Sequence, residues 1–417
     1  MSQSEQTGVD ASRRTINPLL SPHKENPHPV YERARRDEPV YFNEVLQAWV
    51  VTRHEDVQAI LKEPNRFSSA EAFKGGPPYP PEILAVLAEG LPNVPTLVDN
   101  DPPDHTRFRS LVNKAFAPRR INEREGYIRE LANSLIDKFE KDGEADLVQQ
   151  FGHPLPSLVV ADLLGVPRED VSKFGRFSDA WIGLLAAQAP LPELTEHARG
   201  TVEFQRYLAA LLEAREKAPA DDMLTDLVQA APKLNPPATT TDLVGLVMQV
   251  LFAGHETTSG LIAATILHLL RNPDVLARAR EDKSIYAAAV EEAARLETPV
   301  WAMYRTAMED VELGGVHIPK GSRLQVLYQS ANRDEAKYAC PHQFDVNRPN
   351  VTDHLAYGRG VHFCIGAPLA RLEAKNAVEI LFSRIPNLQL VPDQKITVVP
   401  SVTIRRMQHL QVRWNVG

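Results

Sequence analysis

Tyr357-Gly-Arg-Gly-Val-His-Phe-Cys364-Ile-Gly-Ala-Pro-Leu-Ala-Arg371 sets one cysteine in a glycine-bracketed loop immediately ahead of a helical pattern. Gly358, Gly360 and Gly366 let backbone approach a flat, bulky partner and permit turns that a residue with a Cβ resists. Pro368 suits a first helical turn, so a helix is predicted to start there. The free N–H groups of that helix stabilise a thiolate at Cys364, the form of cysteine that ligates iron. Most cysteines outside disulfides are inert buried thiols. The glycines and the helix start favour the ligand reading.

The spacing aromatic-x-x-Gly-x-His-x-Cys-x-Gly, at positions 357, 360, 362, 364 and 366, resembles the haem-binding signature of the cytochrome P450 family of haem-thiolate monooxygenases. Tyr357 stands where the family usually has phenylalanine and adds a hydroxyl to the packing under the loop. The resemblance implies haem b (iron protoporphyrin IX) with Cys364 as the axial iron ligand, whose electron density favours O–O cleavage. It runs from about Pro29 to Trp414 and includes Gly315-Val-His-Ile-Pro319-Lys-Gly321 and Ala331-Asn-Arg-Asp334. The fold it implies is that of the family, mainly α with a minor β portion.

The 417 residues are 43% hydrophobic and 24% charged, ordinary for a soluble globular protein. A net charge of −8 argues against nucleic-acid binding as the main business of the chain. Cys340 and Cys364 are the only cysteines, which excludes a disulfide framework, a thiolate zinc cluster and covalent c-type haem attachment. Cys340 reads as a bystander on a loop. Residues 1–17 are polar, without a signal-peptide core, and read as a flexible segment. The apolar stretch Leu243–Leu270 could span a bilayer by length, but Gln249, His255, Glu256 and His268 interrupt it. It reads as a long buried helix of a cytoplasmic enzyme, with no membrane span.

Apolar periodicity predicts helices over Arg124–Phe139, Leu158–Leu164, Gly200–Glu216, Thr241–Arg271, Ser284–Leu296 and Ala367–Ile385. Strand signals are sparser: a hairpin of Val40–Phe42 with Ala48–Thr52, then Val311–Leu313, Arg323–Leu327, Ile396–Val398 and Leu410–Trp414. The 33 prolines gather at joints such as Gly75-Gly-Pro-Pro-Tyr-Pro-Pro81. No repeat or linker divides the chain, so residues 18–417 read as a single large domain.

Within the long helix, Ala253-Gly-His-Glu-Thr-Thr258 puts Ala253 and Thr257 on one face at i and i+4. A small residue followed by Gly254 would admit a planar cofactor. Glu256 and Thr257 match the family's acid–alcohol pair, which by resemblance implies proton delivery during dioxygen activation; general acid–base work needs such a positioned carboxylate. Taken alone, the same residues fit a threonine bonding back to its helix beside a solvated glutamate. A zinc-protease HExxH is excluded because position 259 is serine.

Glu292 and Arg295 at i and i+3 would ordinarily be a minor surface pair. By resemblance they are the family's Glu-x-x-Arg motif, with Arg348 as third member of a structural network behind the thiolate loop. The two propionates of haem need cationic or hydrogen-bonding partners, and the resemblance assigns these to His105, Arg109, Arg305 and His362. Arginine suits carboxylates because its planar fork reaches both oxygens.

The implied reaction inserts one oxygen atom from O2 into a small molecule and reduces the other to water. Two cysteines cannot hold an iron–sulfur cluster, so electrons from NAD(P)H are expected through a ferredoxin or flavodoxin with its reductase, docking near Arg109, Lys114, Arg371 and Lys375. Two alternatives stand beside this reading. One is a peroxide-driven peroxygenase of the same fold, which needs no acid–alcohol pair; the other is a haem sensor without turnover. By resemblance the substrate pocket draws on the Ala70–Val94 loop, Trp181–Leu191, Met248, Gln249, Phe252, Ala253, Val300, Trp301 and Val402. These are mostly apolar, so a lipophilic small molecule is expected.

Overall fold

Apolar residues on nearly every side from Leu243 to Leu269 give the longest helix, Thr240–Arg271. Among the described residues it is the one helix long and apolar enough to cross a membrane, and 78% of its apolar window is buried within the protein, as in the core helix of a large fold. The computed structural model describes residues 16–73, 78–186, 189–401 and 403–416. Its backbone gathers into two compact units, and the long helix is divided between them after Glu256.

The first unit takes the chain up to Ala72, Glu125–Leu155 and the chain from Thr257 onward. It holds every strand among the described residues. Val40–Asn43, Ala48–Val51, Arg323–Val326, Met303–Ala307 and Phe67–Ser68 lie side by side in that order, antiparallel except where Ala48–Val51 runs parallel to Arg323–Val326. The β-branched residues of the first two strands favour the pleat. Asn43 closes their turn by accepting hydrogen bonds from the Val45 and Leu46 N–H groups. A smaller sheet places Gln411–Arg413 between Glu144–Asp146 and Gln389–Leu390, and Val311–Leu313 pairs with Val316–Ile318. The helix Ala367–Arg384 begins at the predicted proline and packs against Glu125–Ile136 and Ser284–Glu297.

The second unit is helical. Leu191–Lys217 packs on Val171–Ala186, Pro81–Leu87 and Met223–Ala230, and Ile83, Leu184, Leu194 and Ala198 form an apolar cluster among them. Asp222 caps Met223–Ala230 by accepting from the Thr225 N–H, satisfying one of the donors a helix start leaves open. Asp226 then takes ion pairs from both Lys114 and Arg120.

Several elements differ from the sequence expectation. The helix expected at Gly200–Glu216 starts nine residues earlier, at Leu191, where Pro192 fits its first turn. The proline-rich Ala70–Val94 stretch contains the helix Pro81–Leu87, with proline again in the first turn; its residues 74–77 lie outside the described residues. Ile396–Val398 forms no strand, only the isolated bridge of Val398 with Met407. Met303–Ala307, an inner strand of the larger sheet, had no expectation. Of the segment 1–17, residues 1–15 lie outside the described residues.

Candidate active site

Cys364 is half-buried in a loop that its own backbone pins. The Cys364 N–H donates to the Tyr357 carbonyl at 2.9 Å, and the Phe363 N–H donates to the Gly360 carbonyl at 3.1 Å. The helix Ala367–Arg384 starts three residues on, with Gly366 at its N-cap. Gly358 and Gly360 have φ of +67° and +71°, where a side chain costs energy. At Gly360 a Cβ would also lie 2.2 Å from the Leu61 carbonyl oxygen. Gly366 is different: its φ is −80°, so the loop's sharp turns belong to the two earlier glycines.

In the same unit, Arg305 sits buried on the inner strand Met303–Ala307 and donates to the Tyr304 carbonyl. The ring Nε2 of His362 is 3.1 Å from the Ser69 Oγ. Ser69 is fully buried, and sequence reasoning missed it because a serine beside a two-residue strand carries no motif. In the second unit, His105 and Arg109 share a face of the helix Asp104–Val112. Burial, helped by the positive charge of Arg109, lowers the His105 imidazole to about 4. It is therefore neutral near pH 7 and can serve an anion as a hydrogen-bond donor.

Along the long helix, Ala253 is exposed and Thr257 half-buried, whereas Leu251, His255, Glu256 and Thr258 are buried. The open face is thus the small residue and the threonine one turn apart. Glu256 does not share that face, because neighbouring helical positions diverge by about 100°. Gly254 also has a different reason from the one expected. A Cβ there would lie 2.7 Å from the Val160 Cγ2, so the glycine accommodates the neighbouring helix Pro154–Leu164.

Glu292, Arg295 and Arg348 meet in a buried network. Arg295 donates Nε and Nη2 to the two Glu292 carboxylate oxygens at 2.8 and 2.7 Å, and Arg348 Nε donates to Oε1 at 3.0 Å. The remaining guanidinium donors reach the carbonyls of Asn332, Ala339, Cys340, Pro341 and Gln343. The Cys340 side chain is exposed, but its carbonyl is part of this network.

The expected pocket residues separate into two kinds. Phe252 makes edge contacts with Phe73 and Trp181, at ring-centroid distances of 6.5 and 5.4 Å, and Met248 is buried on the same helix. Gln249 is committed elsewhere. Its Oε1 accepts from the Leu97 and Val98 N–H groups, and its Nε2 donates to Asp99. Val300 bridges to Ile404. Trp301 is corrected from wall to core: its ring joins Tyr31, Ala34, Tyr41 and Val50 in an apolar cluster, and its Nε1 donates to the Ser401 carbonyl. Val402 and residues 187–188 lie outside the described residues.

The sequence profile of the family described as Cytochrome P450 matches residues 47–397. The chain is 35% identical over 400 residues to the cytochrome P450 monooxygenase PikC of Streptomyces venezuelae, covering 94% of this chain and 92% of that protein. The chain belongs to the cytochrome P450 family. It is also 35% identical over 374 residues to the vitamin D(3) 25-hydroxylase of Pseudonocardia autotrophica, covering 88% of each. A cytochrome P450 from Bacillus megaterium solved with corticosterone superposes with a TM-score of 0.82 at 33% identity, covering 94% of this chain and 99% of that one.

The fold is accordingly the cytochrome P450 fold, 53% helical with a minor sheet portion, and the protein is a monooxygenase, an oxidoreductase. The family uses haem b, O2 and electrons from NAD(P)H delivered by redox partners such as ferredoxins. The residues present fit that cofactor. A half-buried cysteine stands three residues before a helix start on a loop whose glycines exclude side chains. Buried Arg305 and neutral His105 are donors suited to carboxylates. Among the cations expected to meet a redox partner, Arg371 is bound to Glu291 and Lys114 to Asp226.

Proposed function

We propose that Cys364 would ligate the haem iron and that this P450 hydroxylates a neutral, lipophilic small molecule. The observation that carries the ligand assignment is the thiolate loop: Cys364 held by the Tyr357 carbonyl at the approach to the helix Ala367–Arg384. In the first unit Arg305 and His362 would hold a haem propionate, and Ser69 would orient His362. When bound, haem supplies an iron centre whose thiolate ligand favours O–O cleavage. Thr257 offers a hydroxyl on the open face beside Ala253 and moves a proton during turnover. Glu256, buried one position earlier, supplies the carboxylate of that pair from inside the protein.

The substrate reading rests on the aromatic contacts of Phe252 with Phe73 and Trp181, since an apolar, aromatic lining favours apolar ligands. The vitamin D(3) 25-hydroxylase and the corticosterone complex among the similar proteins support a steroid-like size. Two cysteines within these 417 residues cannot hold an iron–sulfur cluster. Electrons therefore come from a ferredoxin or flavodoxin outside this segment, and the protein works in the cytoplasm.

The test is the reduced protein with carbon monoxide. The expected result is the strongly red-shifted thiolate band, absent from Cys364→Ala. Survival of that band in the variant overturns the ligand assignment. Titration with neutral steroids should shift the haem spectrum from low to high spin, and a response confined to anionic ligands overturns the substrate class.

A further inference from the structure

Within the first unit a cavity of about 210 Å³ opens beside the second half of the long helix. None of the residues assigned above to the thiolate loop, the propionates or the substrate lines it. Its charged lining consists of three arginines, 271, 333 and 405, against two glutamates, 25 and 297, and Ala264 and Val398 contribute to an apolar wall. The volume equals roughly seven waters at the density of the liquid, enough for a small organic molecule.

The buried lining is under-compensated in charge. Glu297 lies 3.7 Å from the Arg333 Nη2 and 3.8 Å from the Arg405 Nε, beyond hydrogen-bond distance of both, while its Oε1 is 3.2 Å from the His268 ring Nε2. One carboxylate thus faces two guanidinium groups. Arg405 gives Nη1 and Nη2 to the Lys24 and Glu25 carbonyls, but its buried Nε makes no hydrogen bond among the described residues. Two further signs agree. Burial lowers Arg333 to about 10, with Arg295 and Arg405 adding to the effect against Glu297. Burial and the charge of Arg333 also hold His28, another lining residue, well below its ordinary value. Burial is the main cause of both shifts, and the neighbouring guanidinium charges add to it.

We propose that this cavity is a binding site for a small organic monocarboxylate, its head group on Arg405 and Arg333 and its apolar body against Ala264 and Val398. One negative charge matches the excess of the lining, and the apolar wall selects an organic anion over phosphate or chloride. The Arg405 N–H also donates to the Pro299 carbonyl at 2.8 Å, so the ligand's main anchor joins the backbone of the segment that carries Val300.

The test uses the haem-loaded full chain with benzoate as probe, benzamide as its neutral counterpart and chloride at matched ionic strength. Calorimetry should give saturable benzoate binding, thermal unfolding should shift upward, and the haem absorbance should stay unchanged. Benzamide and chloride should do neither. Arg405→Gln should weaken benzoate by roughly tenfold or more, the worth of a charge-assisted hydrogen bond. Ala264→Leu, which keeps every charge and fills the apolar wall, should abolish binding and guards against a misfolded arginine variant. Equal binding of benzamide, no saturable benzoate binding, or benzoate binding that survives Ala264→Leu overturns the site. A haem spectrum that responds to benzoate and is insensitive to Ala264→Leu assigns the binding to the haem pocket and overturns it likewise.

Discussion

The guanidinium carbon of Arg371 lies 4.3 Å from the centroid of the Tyr357 ring, and its Nε and Nη2 donate to the two carboxylate oxygens of Glu291 at 2.5 and 2.9 Å. His354 approaches the same carboxylate at 3.1 Å and the Tyr357 ring at a centroid distance of 5.5 Å. The residue that departs from the family pattern is therefore held under a cation that is itself anchored. Its hydroxyl is buried without a hydrogen bond among the described residues, and burial pushes its ionisation up.

Tyr357→Phe keeps the ring contacts and removes a desolvated hydroxyl. It should stabilise the protein by roughly 1 kcal/mol in urea unfolding. A loss of stability would mean that the hydroxyl has a partner.

Glu291 behaves in the opposite way. Burial raises its carboxyl, but hydrogen bonds from His354 and Arg371 outweigh burial and bring it to about 2. Its folded value lies below the unfolded one, so its stabilisation is full above the unfolded value near 4.5 and is lost as pH falls toward 2. The stability gap between wild type and Glu291→Gln should narrow across that window in acid unfolding, and a constant gap contradicts the pairing.

Gly358 and Gly360 separate two costs that the sequence motif combines. Both have positive φ, but a Cβ at Gly358 comes no nearer than 3.8 Å to its first neighbour, the His362 carbonyl oxygen, whereas at Gly360 it would overlap the Leu61 carbonyl. Gly358→Ala should cost about 1–2 kcal/mol, the left-handed penalty alone. Gly360→Ala should cost clearly more and impair haem retention. Equal unfolding midpoints for the two variants contradict the packing of the loop on the helix His54–Lys62.

What was legible in the sequence follows from how local each signal is. The thiolate loop and the helix after it rest on glycine, proline and a spacing of ten residues, and Gly358, Gly360 and Pro368 sit at a turn, a close approach and a helix start. Features set by distant neighbours were not legible. Trp301 reads as a pocket wall until the strands bring it beside Tyr31 and Tyr41. Gln249 reads as a polar pocket residue until the loop at 97–99 is seen to need its carboxamide. Ser69 and the strand of Arg305 have no periodic pattern to betray them.

Glu373 is buried on the helix Ala367–Arg384 and its Oε2 makes no hydrogen bond among the described residues. Burial raises its carboxyl well above the ordinary value near 4.5. The folded protein holds that proton while the unfolded chain releases it, so stability falls as pH rises from about 4.5 toward the raised folded value. Glu373→Gln should flatten this dependence and raise the melting temperature at pH 7–8, checked by thermal unfolding across pH 5–9. A variant that melts lower throughout contradicts a neutral, unpaired carboxyl.

Glu292 accepts from two arginines that are themselves almost fully buried. Glu292→Gln leaves both guanidinium groups without a counter-charge, and breaking a buried pair from one side costs about 3–5 kcal/mol. That is a large part of the stability of an ordinary domain. The variant should give little soluble haem-loaded protein, while circular dichroism of what remains should show a lowered melting temperature. Wild-type melting would remove the structural role.

Ala253 is exposed and Thr257 half-buried one turn later on the same helix, and Glu256 is buried. If the open face is where oxygen chemistry occurs, the threonine hydroxyl is the group in reach and the carboxylate acts from behind it. Thr257→Ala should then bind haem and keep the carbon monoxide band, because the side chain ligates nothing. NAD(P)H consumption should continue while product per electron pair falls by roughly tenfold or more, with hydrogen peroxide making up the difference. Thr257→Ser, which restores a hydroxyl at the same place, should recover most of the coupling. Unchanged coupling in the alanine variant would show that the proton reaches oxygen by a route that does not use Thr257.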